Sequence, residues 1–317
     1  MSKPRLLVLS WLPDSHLPQL ATRLPAFEWI DARDPAIFEK YLASANIVYG
    51  LPPIARIAEM TALHWIQLPW AGVPQDLCAV AQQRGFTVTN LSGLYGPSIA
   101  EHAFALLTML TRNLHTALRQ EVQGRWDRGV GKQMIDLHGR TLAVVGLGDI
   151  GRNIARLGRA HGMRVIGCRR SDRPTPGVDR VFPCKELLAM LAEADVVAVA
   201  APLTVATTGM LGTAEFAAMK RGVLYVNVSR GGVAQEAALL EALRSGQIAA
   251  AGLDVFAVEP LPPEHPFWTM PQVIVSPHYS GEVINQSSRP AERFARNLIA
   301  WSSGGALEGV VDLAAGY

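Results

Sequence analysis

Three segments in the second half of the chain each carry one side chain able to bind an anion or transfer a proton. Arg230 precedes two glycines, Glu259 precedes a proline, and His278 follows a proline. A guanidinium can hold a carboxylate and polarise a carbonyl, and an imidazolium can protonate the alkoxide that forms. A neighbouring carboxylate stabilises that imidazolium. Arg230, Glu259 and His278 are therefore the predicted catalytic residues for reduction of a 2-keto acid.

Each of these residues also has a simpler interpretation. Arg230 could cap a turn, Glu259 could be a solvated loop charge, and His278 could be a buried histidine with its hydrogen bonds satisfied. The catalytic interpretation is favoured because each segment follows a predicted strand of one sheet. Ligands of open α/β sheets bind at the carboxyl ends of the strands.

A glycine-rich segment near the middle of the chain indicates where a nucleotide would bind. Gly146, Gly148 and Gly151 follow an apolar run and lead into a segment with apolar residues at helical spacing. Such glycines allow a tight turn, close backbone approach to a pyrophosphate, and tight packing of helix against strand. The helix N-terminus then favours the phosphate charge. The pattern predicts a dinucleotide site, and an ordinary strand-to-helix turn is the alternative.

The end of the next predicted strand, residues 164–168, indicates which dinucleotide binds. Arg169, Arg170 and Ser171 follow that strand. An acidic residue there would bind the ribose hydroxyls of NAD, whereas guanidinium groups suit a 2′-phosphate by charge and geometry. The cofactor is therefore predicted to be NADP(H), with NAD(H) kept as an alternative. A pair of solvated loop arginines is the simpler interpretation.

Short β-rich runs alternate with helical or turn-like segments along the chain, as in doubly wound parallel sheets. The runs before the glycines are residues 5–10, 46–50, 65–70 and 87–90. Those after the glycines are residues 164–168, 196–200, 224–228, 251–255 and 273–276. Helices are predicted over residues 98–112, 185–194, 235–245 and 291–301. The pattern predicts an α/β protein with two doubly wound parallel-sheet domains.

Composition and charge exclude several other classes of protein. The chain has 317 residues, 49% of them hydrophobic and 18% charged, which is typical of a globular protein large enough for two domains. A net charge of +2 gives no field that would favour nucleic acid or a membrane surface. The histidines and cysteines lack ligand spacing, so neither a metal site nor a disulfide framework is predicted. Without a recognisable signal peptide or an apolar run long enough to span a bilayer, a cytoplasmic protein is expected.

Five ordered motifs resemble those of the D-2-hydroxyacid dehydrogenase family, and the resemblance covers essentially the whole chain. The motifs are residues 146–151, residues 202–204 with Thr207 nearby, residues 227–232, residues 254–260 and residues 277–278. The resemblance implies a Rossmann coenzyme domain, residues 95–282, inserted in a smaller flavodoxin-like substrate domain, residues 1–94 and 283–317. Arg169 stands where the family more often has an acidic residue. The chain is therefore most similar to the family's NADPH-dependent glyoxylate and hydroxypyruvate reductases.

The resemblance also implies which residues bind cofactor and substrate. Asp254 would meet the nicotinamide carboxamide, and the backbone amides of Ala71 and Gly72 would hold the substrate carboxylate. A further histidine, His102, matches the start of the family's interdomain helix and is expected to be structural. The predicted substrate-binding residues are Ala71, Gly72, Arg230 and His278. The predicted cofactor-binding residues are Gly146, Gly148, Asp149, Ile150, Gly151, Arg169, Arg170, Ser171, Pro202, Leu203, Thr207, Val228, Ser229, Asp254 and Gly281.

The predicted activity is NADPH-dependent reduction of a small 2-keto acid to the D-2-hydroxy acid. Hydride passes from nicotinamide C4 to the keto carbon while His278 delivers a proton to the oxygen. Glyoxylate and hydroxypyruvate are the expected substrates, and larger 2-keto acids such as phenylpyruvate are alternatives. Glu259 argues against formate oxidation, because related formate dehydrogenases have a glutamine there. The rival hypothesis is a non-catalytic NADP(H) sensor or partner-binding protein on the same scaffold.

Residues 113–131 are predicted to pack against a second subunit. Leu114, Leu118, Val122 and Trp126 recur about one helical turn apart within this segment. The family resemblance implies that such an arm joins two copies of the chain, so a homodimer is expected. A helix confined to its own domain is the alternative.

Overall fold

The computed structural model describes residues 3–10, 16–171, 173–283 and 288–317. The chain divides into two compact units, one made of Met1–Leu94 with Val283–Tyr317 and the other of Tyr95–Glu282. Each unit contains its own parallel sheet and its own hydrophobic core. This arrangement confirms the predicted α/β class with two parallel-sheet domains.

The first unit is built on a sheet of short apolar strands. Its strands are β1 (Arg5–Val8), β2 (Glu28–Asp31), β3 (Ile47–Tyr49), β4 (Trp65–Gln67) and β5 (Thr87–Thr89). Their order is β2-β1-β3-β4-β5 and every pair is parallel, which is the flavodoxin-like order. Apart from Arg5 at the start of β1, the residues of the central strands β1, β3 and β4 are buried, as expected for parallel strands covered by helices. The first three helices of this unit are α1 (His16–Arg23), α2 (Pro35–Tyr41) and α3 (Gln75–Arg84).

The second unit is built on a larger parallel sheet. Its strands are β6 (Thr141–Val145), β7 (Arg164–Arg169), β8 (Arg180–Pro183), β9 (Val196–Val199), β10 (Val223–Asn227), β11 (Ile248–Leu253) and β12 (Val273–Val275). Their order is β12-β11-β10-β9-β6-β7-β8. Counted from β6, this is the 3-2-1-4-5-6 order of a dinucleotide-binding fold with one strand added at an edge.

The described part of the second unit contains six α-helices, and a last helix belongs to the first unit. They are α4 (Gly96–Thr111), α5 (Leu114–Val122), α6 (Asp149–Ala160), α7 (Leu187–Glu193), α8 (Thr213–Ala218), α9 (Glu236–Arg244) and α10 (Ser288–Ser302). The apolar sequence of α4 is buried against the sheet, as its composition predicts. Gly96 lets the start of α4 press against Asp149 and Asn153 of α6. No helix in the described ranges combines the length and apolarity needed to cross a membrane.

A buried polar network fixes the carboxyl ends of β4 and β5 in the first unit. Trp65 Nε1 donates to Thr89 Oγ1 at 2.7 Å, and the Thr89 hydroxyl donates to Gln67 Oε1 at 2.9 Å. Asn297 of α10 donates to the same Gln67 oxygen at 3.0 Å. Because each of these buried groups is paired, the network holds the strand ends rigidly and sets the position of the loop that follows β4.

Two strands of the structure are not among those predicted from the sequence. β2 reads Glu-Trp-Ile-Asp and β8 reads Arg-Val-Phe-Pro, and each forms one edge of its sheet. Edge strands need only short apolar runs and tolerate charged ends and proline, so their sequence signal is weak. Within residues 113–131 the helix is shorter than the apolar spacing out to Trp126 indicates. It ends at Val122, and a short 3-10 helix occupies Arg128–Gln133.

Candidate active site

The glycine-rich turn joins β6 to α6. Gly146 has a φ of 97°, and a Cβ at this position would lie 2.7 Å from the backbone of Ala201. A Cβ on Gly151 would clash with the Gly146 carbonyl oxygen, so the helix packs directly on the turn. Gly148 differs, since no atom lies within 4 Å of the place where its Cβ would be. The open space at Gly148, in front of the α6 N-terminus, fits a dinucleotide pyrophosphate.

Arg169 and Arg170, at the carboxyl end of β7, lie beside this turn. Gly146 N and Leu147 N both donate to Cys168 O, at 3.1 and 3.2 Å, which fixes the end of β7 against the glycines. Arg169 is the last residue of β7 and is half-buried, whereas Arg170 is exposed. A cofactor whose pyrophosphate lies at the turn would therefore have its adenosine ribose within reach of these two cations. The residues present fit the 2′-phosphate of NADP.

The turn after β10 holds Arg230 through the side chain of Asn227. Asn227 Oδ1 accepts hydrogen bonds from Ser229 N at 3.0 Å and Ser229 Oγ at 2.9 Å, and its Nδ2 donates to Arg230 O at 3.3 Å. The Arg230 guanidinium donates to Ser229 O at 2.7 Å. This Asx-type turn fixes both the backbone and the side chain of Arg230.

Arg230 lies beside the segment that carries Glu259. A Cβ on Gly231 would clash with the backbone of Phe256, so the two segments touch at this glycine. Burial lowers the pKa of the Arg230 guanidinium, and the nearby Glu259 carboxylate opposes that effect. Arginine keeps its charge across the physiological range. The site therefore presents a partly desolvated cation, which binds an anion more strongly than an exposed one.

Glu259 and His278 form a hydrogen-bonded pair. Glu259 Oε2 lies 2.6 Å from His278 Nδ1, and the other carboxylate oxygen accepts from Phe256 N at 2.9 Å. The carboxylate is thus fixed by the backbone on one side and orients the imidazole on the other. With Nδ1 occupied, Nε2 remains to exchange a proton with a ligand. This is the geometry of a histidine acid–base group with an acidic partner.

The backbone at His278 is held in the left-handed region with a φ of 51°. His278 N donates to Ser276 O at 3.0 Å. Asp254 accepts from the two following amides, Tyr279 N at 3.2 Å on Oδ1 and Ser280 N at 3.0 Å on Oδ2. The Asp254 side chain is 0% exposed, so a direct contact with a cofactor would require the residues that cover it to move. Its contact with the nicotinamide carboxamide stays a prediction.

The remaining predicted cofactor residues follow neighbouring strands of the same parallel sheet. They are Asp149 and Ile150 at the start of α6, Ser171 after β7, Pro202, Leu203 and Thr207 after β9, Val228 and Ser229 after β10, and Gly281 after β12. Thr207 Oγ1 donates to Pro202 O at 2.5 Å and accepts from Thr204 N at 2.8 Å, which closes the loop after β9. The carboxyl ends of parallel strands share one edge, so the sheet collects these residues with Arg230 and His278.

Ala71 and Gly72 lie in the loop after β4 of the first unit. Asn90 Nδ2 donates to Ala71 O at 2.7 Å, and Leu91 N donates to Trp70 O at 3.0 Å, so this loop is anchored through its carbonyls. Within the described part of the chain, neither Ala71 N nor Gly72 N donates a hydrogen bond. Adjacent N–H groups without an acceptor form a small anion-binding surface.

Two residues that shape the site were not assigned a role from the sequence. Asn227 builds the turn under Arg230, and Ser276 lies between Asp254 and the histidine His102 of α4. Asn227 followed by Ser229 is a recognisable signal, because an asparagine at a strand end commonly closes such a turn. Ser276 gives no comparable signal, since its partners come from distant parts of the chain.

The sequence matches a known family and several of its members. The profile described as D-isomer specific 2-hydroxyacid dehydrogenase, NAD binding domain, matches residues 104–280. A glyoxylate reductase of Korarchaeum cryptofilum is 35% identical over 315 residues, which cover 95% of this chain and 94% of that relative.

Solved structures extend the match to the whole fold. An NADPH-dependent glyoxylate/hydroxypyruvate reductase of Sinorhizobium meliloti, in complex with NADP and sulfate, has a TM-score of 0.85 and 27% identity, covering 99% of this chain and 100% of that one. A D-isomer specific 2-hydroxyacid dehydrogenase family protein of Aeromonas salmonicida has a TM-score of 0.84 and 35% identity, covering 98% and 100%. These matches confirm the resemblance that the motifs predict. The chain belongs to the D-isomer specific 2-hydroxyacid dehydrogenase family and is an NAD(P)-dependent oxidoreductase.

Proposed function

We propose that this protein reduces a small 2-keto acid to the D-2-hydroxy acid with NADPH. Glyoxylate and hydroxypyruvate are the first substrates to consider. A protein named glyoxylate reductase aligns with most of this chain, and one named glyoxylate/hydroxypyruvate reductase has the same fold. The observation that carries the proposal is the 2.6 Å hydrogen bond between Glu259 and His278, close to Arg230 and in the unit that holds the glycine turn.

Each residue has a defined task in this proposal. Arg230 binds the substrate carboxylate and polarises the keto group. His278 delivers a proton from Nε2 to the carbonyl oxygen, while Glu259 holds Nδ1 and orients the ring. The nicotinamide supplies the hydride when it is bound.

A substrate panel tests this function directly. The purified protein is assayed with glyoxylate, hydroxypyruvate, pyruvate and phenylpyruvate, each with NADPH and with NADH, by loss of the reduced nicotinamide absorbance. We expect turnover with NADPH and at least one of the small keto acids. Glycolate formed from glyoxylate is achiral, so the configuration is read by chiral chromatography from hydroxypyruvate, pyruvate or phenylpyruvate, whose product should be the D-2-hydroxy acid. NADPH binding without turnover of any 2-keto acid would favour a sensor, and an L-configured product would contradict the proposed stereochemistry.

We propose that Arg169 supplies the preference for NADPH. Replacing Arg169 by serine removes the guanidinium beside the turn while leaving the strand intact. Charge-assisted hydrogen bonds contribute roughly 1.5–3 kcal/mol, so kcat/KM for NADPH is expected to fall by about tenfold or more. The value for NADH should change by less than about twofold, because NADH has no 2′-phosphate to lose.

Arg164→Ser is the matched control for this substitution. Arg164 is the first residue of the same strand, at its opposite end, and makes a surface ion pair with Glu193 at 2.8 Å. Its loss changes the net charge equally but should leave both cofactors unaffected, since exposed ion pairs contribute little. Equal losses for NADPH and NADH in Arg169→Ser would show that Arg169 supports the fold rather than the 2′-phosphate.

We propose that the protein is a homodimer joined through α5 and the residues after it. Val122 and Trp126 are 90% and 93% exposed, and Leu118 of the same segment is 51% exposed. Apolar side chains so exposed in one segment are typical of a surface that another chain covers. Sedimentation velocity should show a dimer, and Leu118→Glu should shift it toward monomer. Leu188→Glu, at a 48% exposed leucine of α7, should leave the dimer intact, and a monomeric unmodified protein would overturn the proposal.

A further inference from the structure

A buried chain of hydrogen bonds lies behind the loop that carries His278. His102 Nε2 of α4 lies 2.9 Å from Ser276 Oγ, and Ser276 Oγ lies 2.7 Å from Asp254 Oδ1. Ser276 is 3% exposed and Asp254 is fully buried. His102 was expected to be structural, and these contacts connect its ring to the loop through two polar side chains.

The directions of these hydrogen bonds follow from the number of available protons. The Asp254 carboxylate can only accept, and the Ser276 hydroxyl has a single hydrogen. If Ser276 donates that hydrogen to Asp254, its oxygen must accept one from His102. His102 therefore carries its proton on Nε2. Burial lowers the pKa of His102, and the charge of Asp254 opposes that shift, so the ring is a neutral donor at neutral pH.

Asp254 in turn fixes the backbone on the carboxyl side of His278. It accepts from Tyr279 N and Ser280 N, the two amides that follow His278. A φ of 51° is unfavourable for a residue with a side chain, so surrounding contacts must hold it. A carboxylate that is itself held by Ser276 is well suited to do so. The direction of the His278 ring depends on this backbone conformation.

We propose that His102 is a positioning residue for the acid–base histidine. Its Nε2–H donates to the Ser276 hydroxyl, so that Ser276 donates to Asp254. Asp254 then holds the loop in the conformation that orients the His278 ring. The His102 ring also packs edge-on against Tyr279, with ring centroids 5.3 Å apart and an interplanar angle of 84°. The inference rests on the proposed function of His278 and adds the residues that orient its imidazole ring.

A pair of substitutions separates this role from simple space filling. His102→Phe keeps an aromatic ring against Tyr279 but removes the donor, whereas His102→Gln places an amide N–H where Nε2 was. Because a small misplacement of a reacting group is costly, kcat for His102→Phe is expected to fall by about tenfold or more. His102→Gln should recover to within about threefold of the unmodified enzyme, and KM for NADPH should change by less than about twofold in both variants.

The activities of these two variants and two further measurements decide whether the proposal holds. Activity of His102→Phe equal to that of the unmodified enzyme, or equal losses in the Phe and Gln variants, would overturn the proposal. Should His102→Phe fail to fold, Ser276→Ala removes the same link, and adding His102→Gln to it should cost nothing further. Nitrogen NMR of the imidazole rings should find His102 protonated at Nε2, and an Nδ1 proton would contradict the inference. That spectrum requires no turnover, so it separates failure of this inference from failure of the proposed function.

Discussion

Replacement of His278 by alanine is expected to lower kcat by about 10³-fold or more, because a positioned general acid contributes roughly 10²–10⁴-fold. The geometry explains the size of the effect. Glu259 occupies Nδ1 at 2.6 Å, so the ring has one nitrogen to offer a ligand, and no other imidazole forms this contact with Glu259 in the described residues. The dissociation constant for NADPH, measured by fluorescence titration, should change by less than about twofold.

His265→Ala is the matched control for this experiment. His265 also bonds a glutamate, with Nε2 3.1 Å from Glu236 Oε1, and it lies in the same unit. It has no proposed contact with a reacting group, so kcat should stay within about threefold of the unmodified value. A His278 variant that lost NADPH affinity together with kcat would show that His278 supports the fold of the cofactor site rather than proton transfer.

The dinucleotide turn could be predicted from the sequence because its requirements are local. Gly151 is required by the Gly146 carbonyl oxygen five residues earlier, and Gly146 by its positive φ and by the Ala201 backbone just after the adjacent strand β9. The position of Arg169 could likewise be predicted, because it directly follows the predicted strand 164–168, whose apolar residues are easily recognised. Alternating strands and helices then fix a parallel sheet, and a parallel sheet collects its strand ends at one edge. Local rules thus account for the fold class and for the segments that form the site.

The contacts that orient the His278 side chain could not be predicted from the sequence in the same way. His102, Ser276 and Asp254 come from three separate elements, and only tertiary packing makes their polar atoms meet. Taken alone, His102 on an apolar helix is most simply interpreted as structural. The backbone conformation of His278 is equally hidden, because nothing in the sequence requires a positive φ at a histidine. Sequence motifs identify the reacting groups, whereas the residues behind them become visible only in three dimensions.

Replacement of Arg230 by alanine is expected to lower kcat/KM by about 150-fold or more, equivalent to ~3 kcal/mol of lost transition-state stabilisation. Arg230 is the cation that the Asn227 turn fixes next to Glu259, and its partial burial strengthens its hold on an anion. Without the Arg230 guanidinium to polarise the keto group, kcat should fall. KM for the keto acid should rise as well, because the substrate carboxylate loses the cation that binds it. Steady-state kinetics with the best substrate of the panel measures both.

Two companion variants define what Arg230 contributes. Arg230→Lys keeps the charge but loses the planar pair of donors, so its kcat/KM should fall between those of the alanine variant and the unmodified enzyme. Arg221→Ala removes an arginine just before β10, at the strand end opposite Arg230, where it donates to Ser245 O at 2.8 Å. It should leave the kinetics unchanged. If Arg230→Ala behaved like Arg221→Ala, the guanidinium would have no part in the reaction.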